Sequence, residues 1–180
     1  MNCQSAPTLE TERLILREFG VSDLDAHAAT LGNGEVMRHI GGQPLNREDS
    51  WRRLLMGVGM WALIGMGPWA VELRGDGRMV GHCGFFQFHR DMVPSIIGEP
   101  EMGWIFDPSV QRQGIAYEAC SAALAWAERE IGAQSYPAII DLENIPSMML
   151  AERLGFVRLA DATYRDIRMA FFRRPGKLAG

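Results

Sequence analysis

The chain has 180 residues, of which 47% are hydrophobic, and a formal net charge of −4. That length suits one domain with a real core, and the apolar share excludes an intrinsically disordered chain. The charge balance lacks the basic footprint of a nucleic-acid binder and is weakly compatible with a cationic partner such as an amine.

Cys3, Cys83 and Cys120 are odd in number and widely spaced, which favours reduced thiols in a cytosolic protein over a disulfide framework. The opening MNCQSAPTLETERL has no apolar run of signal-peptide length, so secretion is not expected. The most apolar tract, GMWALIGMGPWAV, is punctuated by Gly59, Gly65, Gly67 and Pro68 and is too broken to span a membrane. A cytoplasmic protein without membrane contact is the expectation.

In chain order, RLILREF (13–19) alternates in part as a half-buried strand should. Ser22 and Asp23 offer an N-cap for a helix over 24–31, and Asn46 offers one for a second helix. Trp51, Leu54, Leu55 and Val58 in that second helix follow helical spacing. PWAVEL (68–73) and MVGHCGFFQF (79–88) read as strands, and the intervening RGDG is strong hairpin chemistry. EMGWIF (101–106) reads as a third strand, with Gly103 where a bulge would sit. A helix follows from about Ile115 to Glu130, with Ala116, Cys120, Ala123, Leu124 and Ala127 on one face. YPAIIDL (136–142) is a further strand, and a short helix from about Pro146 to Leu154 has Asn144 as its cap candidate. Residues 156–159 and 167–172 complete a strand-rich tail. The order predicts a mixed α/β sheet, largely antiparallel early, with one strand–helix–strand crossover.

Three places carry candidate chemistry. The run SVQRQGIAYEA follows a predicted strand and opens a helix. Its first-turn N–H groups would attract a phosphate, and Gly114 and Ala116 are small enough for close backbone approach. Arg112 would add charge. The plainer alternative is a glycine that merely eases a turn, but the strand–loop–helix setting favours the phosphate. Asn144 sits at the carboxyl end of a strand, where ligands gather in α/β sheets, with simple helix capping as its alternative. Glu99 and Glu101 lie at the start of an apolar strand, where a carboxylate would take a proton from a substrate amine, directly or through water; the alternative is a solvent-facing strand end. Gly57, Gly59 and Gly65 have no preceding strand and are not a dinucleotide fingerprint. His82, Cys83 and His89 lack metal-ligand spacing, so no metal is expected. Trp51, Trp61 and Trp69 read as core, with an acceptor-pocket role as the alternative.

Together LETERLILREFGVSDLDA, EVMRHIGGQPLNREDSWRRL, EMGWIFDPSVQRQGIAYEA and NIPSMMLAERLGF resemble, in that order, the GNAT N-acetyltransferases of the RimJ/RimL-like branch. The resemblance covers residues 9–172 and implies one acetyltransferase domain over 1–180. It further implies a mixed, mostly antiparallel sheet of about seven strands flanked by about four helices, splayed between the fourth and fifth strands. It implies acetyl-CoA as co-substrate, with pantetheine pairing near Ile105 and Phe106. The pyrophosphate would rest on N–H groups of Gln111, Arg112, Gln113, Gly114, Ile115 and Ala116, and Asn144 would reach toward the cofactor. An acceptor amine, a peptide N-terminus or a small amine, would attack the thioester carbonyl with Glu101 as base. Backbone N–H groups of the fourth strand would stabilise the oxyanion, and Ser147 would supply a proton to the leaving thiolate. Ala151 stands seven residues after Asn144, where many family members place a tyrosine acid. That departure keeps a second expectation in view, a CoA-binding sensor without turnover. The Met- and Trp-rich stretches leave a homodimer open.

Overall fold

The computed structural model describes residues 5–176, so Cys3 lies outside the described residues. Two short strands come first, β1 (Leu9–Glu10) and β2 (Leu14–Arg17). Leu14 and Leu16 are fully buried while Ile15 and Arg17 are half-buried, the alternation of a strand with one face on a core. Helices α1 (Leu24–Leu31), α2 (Gly34–Met37) and α3 (Arg47–Ile64) follow. Asn33 and Asn46 cap α2 and α3 through their side-chain oxygens.

Asp23 departs from the sequence expectation. It precedes α1, but its carboxylate caps nothing there. It turns back to accept the Gly20 N–H at 2.7 Å and a two-point contact from Arg17 at 2.7 and 2.8 Å. Arg17 also reaches Glu72 at 2.7 Å. A two-point, charge-assisted pair wins over a single cap bond.

Strands β3 (Pro68–Leu73) and β4 (Met79–Phe86) form the hairpin expected around RGDG, with Gly77 at φ 72 in the turn. After the two-residue β5 (Met92–Val93) comes β6 (Glu101–Phe106), paired to β4 in unbroken register from Gly81↔Phe106 to Phe86↔Glu101. The expected bulge at Gly103 is therefore absent from this ladder. The irregularity lies between β3 and β4, where the register shifts at Val71/Glu72 and passes over Val80. Gly103 has a packing reason instead, since a Cβ there would meet the Phe86 ring at 3.1 Å.

A 3-10 turn (Pro108–Val110) leads into α4 (Ile115–Glu130), then β7 (Ser135–Asp141) and α5 (Ile145–Arg153). The chain closes with β8 (Val157–Arg158), β9 (Ala162–Tyr164) and β10 (Ile167–Pro175). One sheet runs β1-β2-β3-β4-β6 and the other β5-β9-β10-β7, with β8 added on β10. β6 and β7 are each the last strand of their sheet, and they lie side by side without sharing a ladder. This is the expected splay. The additional elements beyond the sequence reading, β1, β5, β9 and α2, have two to four residues each, too few to carry a periodic signature.

The main core lies between the first sheet and α4, which buries Ile115, Ala119, Cys120, Ala123, Trp126 and Ala127. Trp126 meets Trp61 of α3 and Trp69 of β3 edge-on, with ring centroids 5.3 and 5.0 Å away, and those two rings meet each other at 4.6 Å. Trp61 and Trp69 donate their indole N–H groups to the carbonyls of Pro68 and Pro7, so the rings bury no unpaired donor there. Trp51 packs apart from them, half-buried beside Phe19, Leu54, Ala70 and Met79.

Gly84 and Gly59 give opposite expectations. A Cβ on Gly84 would fall 2.2 Å from the Gly67 carbonyl oxygen, a backbone atom that has no rotamer to move into, whereas one on Gly59 would meet nothing within 4 Å. In urea unfolding, Gly84→Ala is expected to lose about 2 kcal/mol or more through overpacking. Gly59→Ala, inside α3, is expected to gain roughly 0.5–1 kcal/mol. Equal stabilities for the two variants would contradict the close β3–β4 crossing.

Candidate active site

The loop between β6 and α4 turns on two left-handed residues, Arg112 at φ 59 and Gly114 at φ 77. Alternating hands swing successive N–H groups toward one side, the geometry that makes anion-binding concavities. α4 begins at Ile115, so the N–H groups of its first turn have no intrahelical acceptor. Gln111, Arg112 and Gln113 are exposed, Gly114 and Ala116 half-buried, and Ile115 buried as the anchor of the helix. Gln113 donates its amide to the Ser109 carbonyl at 2.8 Å, and Asp107 accepts the Ser109 N–H at 2.8 Å. The six residues expected to hold a pyrophosphate therefore form one continuous, braced turn.

The brace comes from the far end of the sequence. Thr11 donates to Glu118 at 2.6 Å, and the Arg13 backbone and guanidinium reach the same carboxylate at 2.9 and 2.7 Å. Arg13 then donates to the Gln113 carbonyl at 2.9 Å. Although partial burial pushes the Glu118 carboxyl up, the Thr11 and Arg13 contacts outweigh it and hold its pKa below the usual range. An open groove of about 560 Å³ adjoins this brace, lined among others by Arg13, Gly114, Tyr117, Ser121 and Arg153. Arg153 lies over the Tyr117 ring at 4.0 Å. The groove continues the α4 N-terminus toward solvent, and Glu12 and Glu118 balance Arg13 and Arg153 in its lining.

Asn144 does cap α5, with its side-chain oxygen accepting the Ser147 N–H at 3.2 Å. Its amide NH₂ has no hydrogen-bond partner among the described residues. Ser147, half-buried in the first turn of α5, accepts a hydrogen bond from the Trp104 indole of β6 at 3.3 Å. Both Ile105 and Phe106 lie on the β6 edge that borders β7. The structure thus gathers Gln111–Ala116, Asn144, Ser147, Ile105 and Phe106 around the carboxyl ends of β6 and β7.

Glu101 sits at the other end of β6. It is buried, and both its oxygens are held by Arg90 at 2.7 and 3.0 Å. Burial raises its pKa, the Arg90 pair pulls it down, and the balance stays above the ordinary carboxyl value. Arg90 is itself clamped between the Phe88 and Tyr164 rings at 4.5 and 4.8 Å. A cavity of about 10 Å³ lies beside Glu101, lined also by Phe86, Phe88 and Arg90. Glu99, the neighbouring candidate, is bound by Arg173 and Ser135 and ties the β6 approach to β7 and β10. Arg90 and Trp104 escaped the sequence reading. Arg90 stands in a loop without regular pattern, and Trp104 looked like one more apolar strand residue.

The acetyltransferase (GNAT) domain family model matches residues 13–157. The chain belongs to this family and is an acyltransferase with N-acetyltransferase relatives. It is 28% identical over 150 residues to the uncharacterized N-acetyltransferase YnaD of Bacillus subtilis (strain 168), covering 83% of this chain and 82% of that one. It is 30% identical to a solved Bordetella pertussis protein assigned to the GnaT acetyltransferase family, with a TM-score of 0.81 over 94% of this chain and 99% of the other. RimL, a ribosomal L7/L12 α-N-protein acetyltransferase solved with coenzyme A, shares the fold at 15% identity, with a TM-score of 0.75 over 94% and 98% of the two chains.

Away from the cofactor loop, His27 of α1 and His82 of β4 face each other with ring centroids 5.2 Å apart, and Phe19 packs edge-on against both. Neither nitrogen of His27 has a hydrogen-bond partner among the described residues. Burial, helped by the nearby Arg53 charge, pushes its pKa down to about 4, and burial drives His82 down as well. Because the folded values lie below the unfolded one, the unfolded state binds more protons as pH falls. Stability is then full above about pH 6.5 and is lost on acidification toward pH 4. His27 alone is worth on the order of 3 kcal/mol over that window. Thermal melts of His27→Phe are expected to show a flatter decline between pH 6.5 and 4 than the parent. Parallel declines would mean that His27 is not held neutral by the fold.

Proposed function

We propose that residues 9–172 act as one acetyl-CoA-dependent N-acetyltransferase of the RimJ/RimL-like branch. The acceptor is a primary amine, a peptide N-terminus or a small molecule, and the enzyme works in the cytoplasm. The observation that carries this reading is the meeting of a glycine-turned helix N-terminus with two unpaired sheet edges, β6 and β7. Edge strands leave rows of N–H and C=O groups without partners, and such rows match the amides of a pantetheine arm. The small Gly114 and the bare first turn of α4 match a diphosphate.

Acetyl-CoA supplies an acyl thioester whose thiolate is a tolerable leaving group near neutral pH. The remaining chemistry falls to this chain. The N–H groups of Gln111 through Ala116 hold the pyrophosphate, Ile105 and Phe106 line the pantetheine arm, and the free amide of Asn144 turns toward it. A protonated amine is not a nucleophile, so Glu101 takes its proton. Each Glu101 oxygen keeps a second lone pair despite Arg90. The adjoining cavity is about the size of one water, which favours a relayed proton over a direct one. Ser147 donates a hydrogen bond to the departing sulfur. Starting from the ammonium, nitrogen gives up two protons: one ends on sulfur and one in solvent.

The test is thiol release from acetyl-CoA across a panel of free amines and N-terminal peptides. Amine-dependent release is expected from the parent, and loss of acetyl-CoA binding from Gly114→Trp, whose side chain would fill the turn. Binding at parental affinity in that variant would place the diphosphate elsewhere. Glu101 has its own readout. Removing the Arg90 charge lifts the Glu101 pKa further, so the base stays protonated to higher pH. The acid limb of kcat/KM is therefore expected to move to higher pH in Arg90→Met, and an unmoved limb would exclude Glu101 as the base.

A further inference from the structure

We propose that Trp104 is a positioning residue that aims the Ser147 hydroxyl at the departing sulfur; this rests on the reading of Ser147 as the hydrogen donor to that atom. Trp104 lies on β6 and Ser147 on α5, 43 residues apart, and the indole Nε1–H donates to Ser147 Oγ at 3.3 Å. The contact joins β6, the last strand of one sheet, to the helix that follows β7, the last strand of the other.

Its direction matters more than its strength. An indole N–H is a donor and nothing else, whereas a serine hydroxyl both donates and accepts. Once Oγ accepts from Trp104, its own hydrogen must point elsewhere. The ordinary alternative in a helix is donation to the carbonyl four residues back, here Glu143, and the described side-chain hydrogen bonds of Ser147 do not include it. The Ser147 N–H is already given to Asn144, which fixes the backbone from which the hydroxyl projects. Trp104 packs on the main core and has two side-chain torsions, so it holds its place at little entropic cost. The O–H is thereby left to a ligand in the gap, and acceptance from Trp104 polarises it toward better donation.

In the reaction the nitrogen–carbon bond forms and the carbon–sulfur bond breaks, with its electron pair going to sulfur. The Ser147 O–H bonds to that growing charge, and the sulfur's proton comes finally from the solvent pool that receives the amine's. Trp104 touches no reacting atom. It acts by occupying one lone pair of Oγ, so that the O–H turns away from the indole and toward the gap.

The experiment compares steady-state kinetics of the parent, Ser147→Ala, Trp104→Phe and the double variant on one acetylated amine. A second form replaces Trp104 with benzothienylalanine, which keeps the bicyclic shape and lacks the N–H. A hydrogen bond to a charged group supports an expected roughly tenfold fall in kcat for Ser147→Ala. A comparable fall is expected for both Trp104 replacements, with the KM for acetyl-CoA nearly unchanged and the double variant no slower than Ser147→Ala. Parental kcat in the benzothienylalanine form beside a slow Ser147→Ala would overturn the positioning role and leave Ser147 in place. Falls that multiply in the double variant, or a raised KM with parental kcat, would also overturn it, because Trp104 would then act independently of Ser147. Parental kcat in Ser147→Ala would overturn the donor role of Ser147 and the inference with it.

Discussion

The arrangement depends on two sheet edges that approach and do not pair. β6 and β7 are neighbours, and continuous hydrogen bonding between them would have produced one sheet of ordinary width. Their separation leaves a slot bordered by backbone donors and acceptors, and the two helices that follow them begin at its rim. α4 brings bare N–H groups and α5 brings Asn144 and Ser147. Fold and site are consequences of the same parting.

Holding a slot open requires ties that do not close it, and long side chains supply them. Arg13 and Thr11 lock the first turn of α4 to the turn between β1 and β2, at the sheet's far edge. Arg90 fixes the start of β6 to the loop between β4 and β5, and Arg173 links Glu99 to the second sheet. Arg174 joins β10 to Glu128 near the end of α4. These pairs lie between elements rather than along one helix, and several are half-buried, so they are screened less than surface pairs. The tryptophan cluster completes the frame by pinning α3, β3 and α4 to each other.

Much of this was legible in the sequence because it is local. A glycine after a polar run, a capped helix and a turn-forming RGDG each announce themselves within a few residues. The family segments then set their order. The missing parts are long-range. Nothing near Thr11 or Arg13 says that Glu118 will meet them, and nothing in EMGWIF says that Trp104 will face a serine rather than fill a core. Asp23 looked like a cap because caps are read from neighbours, whereas its partner Arg17 lies on another element. Gly103 looked like a bulge for the same reason; the Phe86 ring over it is seen only in three dimensions. Glu101 is buried at the head of its strand, and nothing near it in the sequence announces the pairing with Arg90.

The cations in these ties are arginines, and the sequence carries that preference to its limit: of 18 basic residues, Lys177 is the single lysine. Guanidinium groups stay charged and present five donors in a flat fork, which suits half-buried carboxylate partners. They also withhold the neutral amine that lysine offers at the cost of a proton. An acyltransferase whose proposed acceptor is a primary amine has thus been framed in a side chain that offers none, so the ties that hold the slot open are exempt from the reaction proposed inside it.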